Sequence, residues 1–99
     1  VDEIELAMYK NGVQMLVEDP LTMSVGDKIW FSAIGRKEHY SVNIAPKWEV
    51  SSGNIISLLY EHGDQNELHA LNVGEAKIKG YLPDSFGTKP VMLSIIVEP

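Results

Sequence analysis

The chain has 99 residues, 44% hydrophobic and 22% charged, with 14 acids against 8 bases for a formal net charge of -6. That length and balance specify one globular domain with a single core, residues 1–99, and exclude a disordered chain. The acidic excess argues against a nucleic-acid module, the short apolar runs exclude a membrane-spanning helix, and the absence of cysteine excludes disulfides and thiolate metal sites.

The chain opens at Val1, with no basic start leading into an apolar segment, so the expectation is a piece excised or processed from a longer protein. Ile4, Leu6 and Met8 alternate with Glu3, Glu5 and Ala7, the period-2 pattern of a strand with one buried face. Asn11-Gly12 is the strongest two-residue turn signal, and Val13 to Val17 reads as a short strand pairing back before Asp19-Pro20 ends it. Leu21 to Val25 leads through Gly26-Asp27 into Lys28 to Ile34, where Ile29, Phe31 and Ala33 share one face and Trp30, Ser32 and Ile34 the other.

From Gly35 to Pro46 the pattern weakens into a polar loop with a short strand at Tyr40 to Ile44. Trp48 to Ser51, Ile55 to Tyr60 and Glu67 to Leu71 read as strands, separated by Ser-Ser-Gly-Asn and His-Gly-Asp-Gln-Asn turns. Glu75 to Tyr81 sets Ala76, Ile78 and Gly80 against Lys77 and Lys79, and Val91 to Val97 sets Val91, Leu93, Ile95 and Val97 against Met92, Ser94 and Ile96. No segment has a sustained helical period. The fold class is all-β, with about seven antiparallel strands in two sheets.

Trp48, Phe31, Ile78, Leu93 and Ile95 are the expected core, with the indole of Trp48 filling much of the gap between sheets. Gly74 suits a turn that needs positive φ, and Ala76 a close approach of the sheets. Lys77 and Lys79 facing outward, with Pro20 and Pro90 at strand ends, are devices that discourage edge pairing.

The candidate chemistry is sparse. His39, His62 and His69 are 23 and 7 residues apart, a spacing that fits no ligand motif. Glu18-Asp19, Asp27, Asp64 and Asp84 are scattered acids and make no EF-hand loop, although inter-domain calcium sites do use such acids. Ser51, Ser52 and Ser57 sit in strand and turn positions, with no Ser-His-Asp order and no Gly-rich phosphate loop. No cofactor, metal site or catalytic residue is expected, and the chain is read as non-enzymatic.

Trp30 is the exception among the aromatics. If Ile29 and Phe31 point inward, it either stands in solvent beside Ile34 as a contact patch, with Tyr40 nearby, or is covered by the segment Arg36 to Lys47. Trp30 with Tyr40 or Tyr81 is the one set of rings available for stacking on a sugar.

Four motifs occur in order: Ser24-Val25-Gly26-Asp27; Trp48-Glu49-Val50-Ser51-Ser52-Gly53-Asn54; Leu68-His69-Ala70-Leu71-Asn72-Val73-Gly74-Glu75-Ala76-Lys77-Ile78; and Ser94-Ile95-Ile96-Val97. Together they resemble the bacterial immunoglobulin-like domains of group 2, the modules repeated in intimin- and invasin-type surface proteins. Two segments depart from that pattern by their length, Arg36 to Lys47 and Glu61 to Asn66. The resemblance implies an immunoglobulin-like two-sheet sandwich that needs no cysteine pair. It also implies an extracellular or cell-surface location in a bacterium and a non-catalytic role as spacer, adhesion or protein-interaction module. The implied partners are neighbouring domains of the same chain and a host or cell-surface protein or polysaccharide, with no nucleic acid and no membrane insertion. Two other readings stand beside it, a carbohydrate-binding module using exposed aromatics and a phage or virion structural domain.

Overall fold

The alternating residues form ten strands, and no helix occurs among the described residues. A computed structural model describes residues 1–10, 12–85 and 87–99, without the side chain of Lys10, so Asn11 of the expected Asn-Gly turn lies outside the described residues. The strands are β1 (Glu3–Lys10), β2 (Val13–Leu16), β3 (Leu21–Ser24), β4 (Lys28–Lys37), β5 (Tyr40–Val42), β6 (Lys47–Val50), β7 (Ile56–Leu58), β8 (Gln65–Ala70), β9 (Gly74–Tyr81) and β10 (Val91–Glu98).

Sheet A has the order β2-β1-β4-β8-β7, with β5 paired to the far end of β4, and sheet B has the order β3-β10-β9-β6. Setting β2 and β5 aside, β1-β4-β8-β7 over β3-β10-β9-β6 is the strand order of an immunoglobulin-like sandwich. All pairings are antiparallel except β3 with β10. The count exceeds seven because β2 folds back on β1, β5 folds back on β4, and β3 forms a separate strand in sheet B.

Alternation then builds the core. Sheet A contributes Ile4, Leu6, Phe31, Ala33, Ile56, Leu68 and Ala70; sheet B contributes Leu21, Met23, Trp48, Ala76, Ile78, Leu93, Ile95 and Val97. The five residues read as core, Trp48, Phe31, Ile78, Leu93 and Ile95, are therefore all buried. Asn66 is the one buried polar side chain among the described residues, and it is fully paired. Its amide accepts from the Tyr60 and Glu67 N–H groups and donates to the Tyr60 carbonyl at 2.8 Å, replacing ladder bonds where β8 begins. Without these partners a buried amide would cost about 1–3 kcal/mol.

Trp48 sets the spacing. It lies directly opposite Gly80 in the β6–β9 register, and its ring packs over that residue, so a Cβ there would stand 2.4 Å from Trp48 Cζ3. The other side of the indole meets Phe31 edge-on at 5.2 Å, joining the two sheets through one aromatic pair. The indole N–H donates to the Gly63 carbonyl at 2.9 Å. The surrounding segment is bonded to both sheets: Trp48 N donates to Glu61 O, Gly63 N to Pro46 O and Ala33 N to Asp64 O. The long connection between β7 and β8 thus closes one side of the sandwich.

Gly74 starts β9 at φ +149, and Ile55 occupies the space a side chain would take there. Lys77 and Lys79 do face outward, but β9 lies between β10 and β6, and Pro90 precedes the interior strand β10, so neither device guards an edge. The molecule measures 40 × 29 × 19 Å. The Val1 carbonyl accepts from Thr88, between β9 and β10, whereas the Glu98 carbonyl accepts from Val25 at the opposite end of β10.

Gly80→Ala has no forbidden φ to overcome and so isolates the contact with the ring. It is expected to lower the unfolding free energy by about 1–3 kcal/mol through overpacking, read as a lower urea midpoint at unchanged slope. An unchanged midpoint would show that the indole does not rest on this glycine.

Candidate contact surface

The two outer faces of the sandwich differ in chemistry, and register shows how. Outward positions of sheet B carry Thr22 and Ser24 on β3, Met92, Ser94 and Ile96 on β10, Glu75, Lys77, Lys79 and Tyr81 on β9, and Lys47 and Glu49 on β6. Most are polar or charged. Tyr81 donates its hydroxyl to Glu49, the Lys79 ammonium sits 5.3 Å from the Tyr81 ring centre, and Lys77 N donates to Ser51 Oγ. A shallow hollow of about 470 Å³ lies between Pro20, Glu75, Lys77 and Ser94, and its acid Asp19 already accepts from Ser94 N.

Sheet A is the reverse. Leu16, Ala7, Ser32 and Gln65 line up in one outward row, and Trp30, Glu67 and Leu59 in the next, where Tyr9 takes the following outward position of β1. Trp30 is 51% exposed, and Tyr9, Leu16, Leu59 and Tyr60 are at least as open. The Trp30 and Tyr60 rings are 6.5 Å apart and tilted by 45°. Ile34 is half-buried on the same face, beside Glu5, and the Glu5–Arg36 ion pair at 2.9 Å borders it. Several adjacent apolar side chains on one sheet face form a contact surface in a way that isolated ones do not.

The segment Arg36 to Lys47 does not cover Trp30. Its first half extends β4 and returns as β5, paired edge to edge in the plane of sheet A. That pairing places Tyr40 opposite Lys37, on the other side of the sheet from Trp30, and Tyr81 belongs to sheet B. Trp30 and Ile34 therefore share a face that Tyr40 does not join, and Trp30, Tyr40 and Tyr81 form no stacking platform. Tyr9 and Tyr60, which do share the Trp30 face or border it, become visible only once the pairing order is known.

The remaining candidates are dispersed. His39 lies in the β4–β5 turn, His62 bridges to Lys47, and His69 faces outward from β8 opposite Lys28 and Ser57. Among the described residues no group of three or more His, Cys, Asp or Glu could hold a metal ion. Asp27 caps the β3–β4 turn by accepting from Ser24 N, and Asp64 gives its carbonyl to Ala33. Ser57 stands across from His69, with no hydrogen bond between them among the described residues. No protein-family model, characterised protein or solved structure matches the chain.

Trp30→Phe is expected to remove the component of tryptophan emission that acrylamide quenches, leaving the blue-shifted, protected emission of Trp48. Stability should change by less than about 0.5 kcal/mol, as for other surface substitutions. Quenching equal to that of the parent chain would place Trp30 under cover.

Proposed function

We infer that this domain is a non-catalytic interaction module of the bacterial immunoglobulin-like kind, which offers the outer face of sheet A to a protein partner and acts as a rigid spacer along its long axis. The observation that carries the reading is the contrast between faces: Tyr9, Leu16, Trp30, Leu59 and Tyr60 stand open on or beside one, while most outward positions of the other are polar or charged. Interfaces are enriched in aromatic anchors of this type.

Val1 lies beside Thr88, ahead of β10, and Glu98 at the far end of that strand, an arrangement that supports the spacer role. The group 2 resemblance supports a bacterial surface or secreted setting. Its motifs fall at the β3–β4 turn, the end of β6, the connection that carries the chain from β8 in sheet A to β9 in sheet B, and β10. The carbohydrate-binding reading is weaker, because its nominated rings lie on separate surfaces and the Trp30–Tyr60 pair is tilted rather than coplanar.

A benzophenone amino acid in place of Gln65, in the outward row next to that of Trp30, is expected to cross-link a protein partner in the source cells. The same probe in place of Lys77 should not. Trp30→Ala with Tyr60→Ala should weaken capture by about tenfold or more. Cross-linking only from position 77, or from neither position, would overturn the reading; polysaccharide binding that depends on Trp30 would replace it with the carbohydrate one.

A further inference from the structure

The sandwich has five strand edges and they are not equivalent; that of β5, beside β4, is only three residues long. The β6 edge is covered, since Trp48 N donates to Glu61 O and His62 bridges to Lys47. The β3 edge begins after Asp19-Pro20 and ends with Ser24 N bonded to the Asp27 carboxylate. The β7 edge is three residues long, and Ile56 N is bonded to Ser52 O. The β2 edge has none of these devices. Its residues Val13, Gln14, Met15 and Leu16 are all exposed, and none carries a charge, a proline or a bulge.

The pairing of β2 with β1 fixes which of its peptide groups are free. Val17 N donates to Leu6 O at 2.9 Å, and antiparallel bonding alternates, so Val13 and Met15 also turn their peptide groups towards β1. Gln14 and Leu16 therefore direct both N–H and C=O outward, with no partner among the described residues. Sheet A also overhangs sheet B here. Beside β2 lies a groove of about 350 Å³ lined by Met8, Met15, Leu21 and Ile29 together with Glu18 and Thr22.

We propose that β2 pairs antiparallel with β2 of a second copy of this chain, across a two-fold axis at Met15, joining two A sheets into one. An antiparallel edge is self-complementary about such an axis. Gln14 of each copy then faces Leu16 of the other, and the two pairs exchange four backbone hydrogen bonds. Met15 meets Met15 and Val13 meets Val17, which covers apolar side chains that are open in the single chain. Charge points to the same occupant. Each copy carries -6, yet the segment Ala7 to Val17 contains no acid, and pairing about Met15 sets Glu18 opposite Gly12, so no acid of one copy is placed across from an acid of the other. A four-residue edge is small beside the ~1,200 Å² or more of a stable interface, which makes this a weak dimer that forms with concentration.

Sedimentation equilibrium on the full chain, from about 10 µM to about 1 mM, is expected to show the mass rising from 11.0 kDa towards twice that value and no further. Leu16→Lys should shift the curve at least about tenfold to higher concentration without changing the unfolding midpoint. Gln14→Pro, which removes only an outward N–H, should do the same if the lysine is accommodated. A constant 11.0 kDa across the range would overturn the proposal. So would growth beyond a dimer, or a dimer dissolved by Trp30→Ala and indifferent to both β2 variants, since that would place the contact on the sheet face.

Discussion

One indole holds the two layers in register. Trp48 rests where Gly80 leaves room, meets Phe31 edge-on from the opposite sheet and donates its N–H to the Gly63 carbonyl. Removing so large a buried side chain from a core costs about 3–5 kcal/mol, a large part of the net stability of a domain this size. The surrounding pieces follow from it. The Glu61–Asp64 connection has to reach over β6 to accept the indole proton, and in doing so it bonds β4 and β6 together. The length of that connection thus has a structural purpose.

With the interior fixed in this way, the outer faces are free to diverge. Sheet B carries mostly polar and charged residues, among them Lys79 over Tyr81 and Tyr81 bonded to Glu49, which suits a wet surface. Sheet A presents open aromatics and leucines bordered by the Glu5–Arg36 pair. Burying those side chains against a partner would recover hydrophobic stabilisation that the single domain leaves unused.

Period-2 alternation made the fold class and most strands readable, because one-sided burial leaves that signature in any sandwich strand. It also separated Trp30 from Phe31 correctly, since neighbours on a strand must face opposite ways. What depended on pairing was not readable. The β4–β5 hairpin turns at Glu38-His39 with Glu38 at φ 54, a conformation usually given to glycine or asparagine, so no turn signal marked it. The side of the sheet that Tyr40 takes follows from that hairpin and is not legible in the sequence. Asn66 resembled a turn residue, yet it is buried because its amide substitutes for ladder bonds to Tyr60. The carbonyls of Glu61, Gly63 and Asp64 do the stitching through the backbone, which leaves no trace in side-chain pattern.

The most direct test of this organisation is exchange of the two indole N–H protons with deuterated water, followed by proton NMR. The Trp48 proton, closed between the sheets and bonded to Gly63, should exchange only as fast as the domain unfolds, while the Trp30 proton is lost within the dead time. Equally rapid loss of both would contradict the account, because the ring around which the sandwich is built would then be open to water.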